Sequence, residues 1–429
     1  MFKIFLVVFC AVLLTLLGML LGQSPDSTLH LPDLIEEALQ NNPGIQASYH
    51  SWKAAQAKIS QAGALPDPTL NFNLLNLPVE SFVFDQEPMT GKQIAVMQMF
   101  PFPGKLGLKE KIAAEGANVS EARLQEIRNQ LVKEVKAAYF NLFFVDKAIE
   151  TTRKNTSLVR DFVKIAETKY SVGKGLQQDV LKAQVELSKM QDNLITLQQK
   201  REALEAKLNA LLNRPAENPL GKTPELQPAD FSFSLTELKA FADQNRPLFW
   251  AWQAMERQSN QKVKLAKKGY LPDFKIAAAY TQRDVLQSGK GGADFVSGLF
   301  SVNIPLYFWK KQRKNVEETR FTQTAVQRNF QNARNQVYAG LEKTLSAVEK
   351  DKRLLDLYQN GIIPQASQSL NSAISGYQTD KVDFLTMLSN QMTLFNYQLD
   401  YYRILSDYHI GIAELEALTG KRFSEKEKE

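Results

Sequence analysis

LPDLIEEALQNNP at residues 31–43 returns as LTELKAFADQNRP at residues 235–247, and this return decides how the rest of the chain is read. Leu31, Leu34, Ala38, Gln40, Asn41 and Pro43 recur as Leu235, Leu238, Ala242, Gln244, Asn245 and Pro247, at a constant shift of 204 residues. Further out, Leu65-Pro66-Asp67 recurs as Leu271-Pro272-Asp273, and Phe100-Pro101 as Ile304-Pro305. A solenoid unit spans only ~20 to 50 residues, so this is a duplicated half-molecule instead. Each half runs in one order: a helix, a strand-like insert, then a very long helical stretch. The expected organisation is a leader at 1–23, a first copy at 24–230 and a second at 231–429.

The long stretches come next. No proline lies between Pro103 and Pro215, and the segment is rich in Ala, Leu, Glu, Lys and Gln, all good helix formers. Gly173-Lys174-Gly175 is its one visible break, which predicts helices over 105–171 and 178–213. Val180, Ala183, Leu187, Met190, Leu194, Leu197, Leu204, Leu208 and Leu211 step by three and four, with Arg201 out of pattern. That is a coiled-coil seam. In the second copy a helix pair is expected over 311–419. Pro364 should bend its first member, and a break falls at 376–381. Leu385, Leu388, Met392, Phe395, Leu399 and Tyr402 repeat the three-four spacing on the return. A helix of about 65 residues is roughly 100 Å long. No compact core surrounds such a rod, so its apolar stripe must pack on other rods.

The inserts have a different period. Leu70, Phe72 and Leu74 alternate with Asn71 and Asn73, and a second run follows over 92–100 after a loop with Pro88 and Gly91. Ile276, Ala278 and Tyr280 form one strand of the second insert. A Gly-rich turn at 288–292 follows, and then Phe300, Val302 and Ile304 alternate with Ser301 and Asn303. Two hairpins are expected, at 69–102 and 274–308, each with one apolar and one polar face.

The chain opens with Lys3 and an apolar run from Ile4 to Leu21, closed by Gly22-Gln23-Ser24-Pro25. This reads as a secretory signal peptide, with a membrane anchor helix as the alternative. The single cysteine, Cys10, lies inside that run. The exported chain would then carry no disulfide, thiolate metal site, cysteine nucleophile or cysteine for a lipid anchor. The net charge of +6 is spread over 52 basic and 46 acidic residues, a mixed surface that does not suggest nucleic acid.

Enzyme chemistry finds no footing. His30, His50 and His409 are far apart, and no metal-ligand spacing, nucleophile elbow or phosphate loop is present. No catalytic residue, resident metal or cofactor is expected. Met89, Met97 and Met99 could be read as copper ligands, but methionine in or beside a strand more often fills packing gaps. Trp250 and Trp252 read as core or interface residues.

Four strands in lipid would leave unpaired backbone groups at two edges, each costing several kcal/mol. Closed membrane barrels start at about eight strands. Several chains must therefore pool their hairpins, with the apolar faces toward lipid and Asn71, Asn73, Ser301 and Asn303 toward a lumen. The rods below would form a ring too, which makes a conduit. The alternative is an exported periplasmic coiled-coil scaffold that never enters lipid.

At this point the chain resembles the outer-membrane factor family, the TolC-like efflux proteins, over nearly all its length. Leu65-Pro66-Asp67 and Leu271-Pro272-Asp273 look like the family's entries into the hairpins, and Pro101 and Pro305 like the exits. Ile363-Pro364, Ala366, Leu370 and Tyr377 resemble its late-helix pattern. Tyr170-Ser171-Val172-Gly173 followed by Asp179-Val180 resembles its helix-to-helix tip. The resemblance extends to Phe102-Pro103-Gly104-Lys105, which looks like members serving heavy-metal pumps. It implies a mainly α fold with a β membrane part: a homotrimer in the outer membrane, with a twelve-stranded barrel on a long coiled-coil helical barrel. Implied partners are outer-membrane lipid, a periplasmic adaptor (membrane fusion) protein and an inner-membrane pump of RND or ABC type. A related reading is the exit duct of type I protein secretion.

The resemblance also implies a gate at the periplasmic tips. Asp383 matches an aspartate of the family's gate motif, and Thr386 stands where some members have a second. Tyr377 matches a tyrosine that braces the closed tip, Lys381 is the expected locking cation, and Asp179 and Tyr170 are the first-copy counterparts. Asp179 can alternatively be a helix N-cap. Gly173, Lys174 and Gly175 would form the tip that meets the adaptor, although glycine also simply ends helices.

Overall fold

The computed structural model describes residues 28–423, so the expected leader at 1–23 lies outside the described residues. The first copy contributes α1 (Leu31–Asn41), α2 (Pro43–Gly63), β1 (Thr69–Leu75), β2 (Gly91–Phe100), α3 (Lys105–Ser171) and α4 (Gln177–Leu212). The second contributes α5 (Leu235–Asn245), α6 (Pro247–Lys268), β3 (Phe274–Gln282), β4 (Phe295–Val302), α7 (Gln312–Leu357), α8 (Ile363–Gln378) and α9 (Phe384–Thr419). The repeated motif acts locally as a helix stop. Asn42 and Arg246 precede Pro43 and Pro247, and both adopt extended backbone because a following proline disfavours the helical region. Leu34 and Ala38 are buried on α1, as are Leu238 and Ala242 on α5.

The chain divides into two compact units, and each draws on both copies. Of the described residues, one is built from 28–47, 125–246 and 335–423; the other from Ser48–Leu124 and Pro247–Arg334.

The second unit holds the strands. The two expected hairpins are one sheet of order β1-β2-β3-β4, antiparallel throughout, because β2 pairs with β3 across the two copies. The register sorts the faces, since directly paired residues share a side. Phe72, Ile94, Tyr280 and Val296 line up on one face, and Leu70, Val96 and Ala278 on the same side. Asn71, Ala95, Ala279 and Ser297 line the other, where Asn73 donates to Gln93 at 3.0 Å and Gln93 to Thr281 at 3.0 Å. The apolar face is bare: Phe72 is 71% exposed and Val296 82%. One strand boundary departs from expectation. β4 ends at Val302, so Asn303 and Ile304 are not strand residues. Asn303 N–H still donates to Asp273 O at 3.0 Å, but Pro305 has no N–H with which to continue a ladder.

The first unit holds the paired rods. Three hydrophobic layers succeed one another along them. Phe144, Val145, Ala148 and Ile149 of α3 meet Leu197 of α4 and Leu399 and Tyr402 of α9. Next, Val159, Met190 and Phe395 join Leu187 and Met392. The third layer lies at the helix ends described below. A buried side-chain hydrogen bond from Gln391 to Asn155 pins α9 against α3 in register. Both three-four seams read from the sequence are filled, with three local changes. Leu385 is exposed, and Phe384 and Met387 are buried in its turn instead. Leu211 yields to the fully buried Leu212, and Arg201 leaves the seam to pair with Asp146 at 2.7 Å and with Glu205.

The expected bend at Pro364 takes another form. α7 stops at Leu357, and a π turn, Tyr358–Ile362, precedes α8, in which Ile363 N–H reaches Tyr358 O. A proline ring crowds the carbonyl four residues before it, and a widened turn relieves that crowding. Among the described residues no helix is long and apolar enough to cross a membrane.

Candidate functional site

The last turns of α3 and α8 end in the same backbone device. After α3, Lys174 N–H returns to Lys169 O at 2.8 Å and Gly173 N–H to Tyr170 O at 3.0 Å. After α8, Lys381 N–H returns to Gly376 O at 2.8 Å and Asp380 N–H to Tyr377 O at 3.3 Å. Each is a Schellman motif, whose C′ residue must be left-handed. Gly173 fills that position with φ +71° and Asp380 with φ +55°. Aspartate is one of few residues with a side chain that visit this region readily.

The aspartate is used. Its Oδ1 lies 2.6 Å from Lys169 Nζ, which also donates to Tyr377 O at 3.2 Å and sits 4.0 Å above the centre of the Tyr377 ring. One ammonium thus holds a carboxylate, a carbonyl and an aromatic face of the other tip. The hydrogen bond from Lys169 keeps the Asp380 carboxyl below its ordinary value near 3.8, and the same bond raises Lys169. Tyr377 is buried and meets Phe384 edge-on at 5.7 Å. It joins Phe162, Val163, Ala166, Val180, Ala183, Met387 and Leu388 in the third layer. Burial pushes its hydroxyl pKa up; Asp179 and Asp380 push the same way and Lys169 opposes.

Asp383 is the N-cap of α9. Its carboxylate accepts from Thr386 N–H at 2.7 Å and from the Thr386 hydroxyl at 2.8 Å, and these donors hold its pKa down. Thr386, expected only as the site of a missing second carboxylate, is the partner of the first. Asp179 is not an N-cap. Leu176 occupies that position without a side-chain bond, and Asp179 lies in the first turn of α4, where a negative charge suits the helix dipole. Lys381 is exposed and forms no ion pair among the described residues, whereas Lys169 pairs with Asp380. Tyr170 is 48% exposed, unlike its counterpart Tyr377. Gly173, Lys174 and Leu176 are exposed at the outer bend of the first tip.

Two residues of this cluster, Lys169 and Asp380, escape a reading of the sequence. A signal for Asp380 exists in the tips themselves. Shifted by 207, Tyr170 and Lys174 fall on Tyr377 and Lys381, which sets Asp380 at the place of Gly173. Nothing local marks Lys169, because its partners lie more than 200 residues away.

The family model described as outer membrane efflux protein matches residues 34–214 and 241–421, one stretch in each copy. The chain belongs to the outer membrane efflux protein family. It is similar to the cobalt-zinc-cadmium resistance protein CzcC of Cupriavidus metallidurans, 20% identical over 412 residues, 92% of this chain and 90% of that protein. It is also similar to toxin and drug export protein A of Aggregatibacter actinomycetemcomitans, 20% identical over 69% of this chain and 68% of that one. Among solved structures, CusC superposes with a TM-score of 0.78 at 14% identity, covering 93% of this chain and 94% of that one. VceC of Vibrio cholerae gives 0.76 at 18%, covering 92% and 96%. These likenesses bear on the fold. Family membership makes the chain an outer-membrane efflux channel with a large periplasmic helical part, and its four strands are a share of a trimeric twelve-stranded barrel. The scaffold reading falls with it.

Proposed function

We propose that three copies, each of two tandem repeats at 24–230 and 231–429 behind a cleaved leader at 1–23, form the exit duct of a tripartite efflux system. A periplasmic adaptor docks on the tip at Gly173, Lys174 and Gly175, and an inner-membrane pump supplies the energy. The duct itself conducts passively and performs no catalysis. The observation that carries the gate is the clasp of Lys169 on Asp380 and Tyr377, which ties the two tips of one chain together. With the clasp closed, the Asp383 carboxylates of three chains ring a narrow mouth. Rings of charged side chains set ion selectivity, and carboxylates favour cations.

The test uses single-channel recording of the full-length protein in planar bilayers. Lys169→Ala should raise conductance and open probability, while Asp383→Ala should weaken cation preference without the same opening. A closed, cation-selective profile in both variants removes these residues from the gate. Adaptor docking is tested separately, by the loss of adaptor binding in Lys174→Glu.

A further inference from the structure

The two copies leave their strands differently. After β2, Phe102 is half-buried, with its ring 6.3 Å from Phe274 and the Lys268 ammonium 5.5 Å above it. Lys105 is committed to Asp273 at 2.8 Å and to Leu271 O at 2.9 Å. That junction satisfies its own groups. After β4 the chain reads Leu306-Tyr307-Phe308-Trp309-Lys310-Lys311-Gln312-Arg313-Lys314, four cations and no acid. Tyr307 is 70% exposed, and Phe308 and Trp309 about half. Lys310, Lys311 and Arg313 are exposed as well, and neither lysine forms an ion pair among the described residues. The segment is nonetheless held in one shape. Lys311 N–H bonds Tyr307 O at 3.0 Å, Arg313 N–H bonds Phe308 O at 2.8 Å, and the Phe308 and Trp309 rings meet edge-on at 5.3 Å.

Lys314 is paired with Glu317 at 2.6 Å, but Lys310 and Lys311 are free beside a rigid aromatic cluster whose bare apolar area favours a partner. The segment continues the bare apolar face of the sheet, through Phe300 and Val302 on that face and then the exposed Ile304 and Leu306. The neighbour of that face is lipid. Tyr and Trp settle at the headgroup level of a bilayer, and lysine stems run along apolar surface while their ammonium groups reach for phosphate. The junction leads from strand to helix, so it meets the periplasmic leaflet.

We propose that Tyr307–Lys314 is an anionic-phospholipid site: Phe308 and Trp309 seat in the headgroup boundary, and Lys310, Lys311 and Arg313 bind the phosphates of phosphatidylglycerol or cardiolipin. It anchors the channel and sets its height in the membrane. Near an anionic surface each cation strengthens binding by roughly fivefold, and salt weakens it. The proposal rests on the barrel reading above, and the experiment separates the two.

Full-length protein is reconstituted in phosphatidylethanolamine bilayers containing brominated phosphatidylglycerol or brominated phosphatidylethanolamine. Quenching of tryptophan fluorescence is measured, and the share of Trp309 is obtained by difference from Trp309→Phe. Trp309 should be quenched several-fold more efficiently by the anionic lipid, with the preference falling as salt rises. Lys310→Gln/Lys311→Gln should equalise the two lipids while leaving trimer formation and conductance intact, and Lys310→Arg/Lys311→Arg should keep the preference. Equal quenching by both lipids in the unaltered protein overturns the proposal, as does a preference that survives the double glutamine variant. Co-sedimentation with purified peptidoglycan that the double variant loses, without any lipid preference, would assign the cations to the cell wall instead. Normal conductance alongside any of these negative results leaves the channel reading standing; absent conductance with normal lipid preference would indict the channel reading alone.

Discussion

The two helix-to-helix tips carry one backbone motif and opposite side-chain chemistry. The first is a bend of minimal means: Gly173 takes the left-handed position, Leu176 opens α4 without a cap, and the bend stands in solvent. The second repeats the bonds but loads them. Asp380 stands where glycine is easiest, Asp383 caps α9, and Tyr377 is buried where Tyr170 is exposed. The backbone motif needs only a residue tolerant of positive φ. What is placed there is free to serve something else. In the first tip that freedom leaves a smooth surface, and in the second it brings a carboxylate to a lysine of the other hairpin.

The comparison predicts unequal consequences. The largest effect is expected from Lys169→Ala, which removes three contacts of one ammonium and should shift the channel toward its open state; an unaltered open probability would break the contrast between tips. Next are the glycines. A Cβ at Gly376 would meet Val382 Cγ2 at 2.5 Å, so Gly376→Ala overpacks the second tip and should lower stability by about 1–3 kcal/mol. Gly173 has nothing within 4 Å, so Gly173→Ala bears only the left-handed penalty of about 1–2 kcal/mol and should leave the gate closed. Thermal melts of both variants beside their conductance check this. Asp380→Gly should make the second tip resemble the first: stability held or improved, with the gate loosened as in Lys169→Ala. A gate that stays tight in Asp380→Gly would show that Tyr377 alone suffices.

Acidity tests the same clasp with a definite sign. The Asp380 pKa is depressed below 3.8, so its stabilisation is present above that pH and is lost as pH falls through the lower folded value. Lys169 is raised above 10.5, so its share is present below that pH and is lost as pH rises through the higher folded value. The closed state should hold across the neutral range and open in acid below 3.8, and Asp380→Gly, which lacks the titrating carboxylate, should lose that acid response. The smallest change is Leu176→Asp. It supplies the first tip with the cap it lacks and should add about 0.5–2 kcal/mol, read as a modest rise in melting temperature.

Much of the architecture was legible because it rests on local rules. Alternation at Leu70, Phe72 and Leu74 marks a two-faced strand, and the steps from Val180 to Leu197 mark a seam, whatever they pack against. Pro43 and Pro247 end their helices by steric exclusion alone. The gate was legible only in outline. Nearness in sequence singles out Lys381 as a cation for the second tip, whereas Lys169, more than 200 residues away, is the cation that contacts Tyr377 and Asp380 in space. Asp179 looked like a cap because it follows a break, yet the helix begins earlier, at Gln177. The π turn before Pro364 was likewise read as a bend, since the sequence marks the crowding but not which way the backbone yields.

The amino-acid sequence alone determined the duplication, the rods, the two-faced hairpins and the need to share strands, because period and proline act over a few residues at a time. Tertiary structure alone decided that β2 pairs with β3, that Lys169 closes on Asp380, and that one strand exit is satisfied within the chain while the other is left bare. Each joins or compares residues in separate copies, more than 150 positions apart, and no local rule specifies which partners meet once the chain has folded back on itself.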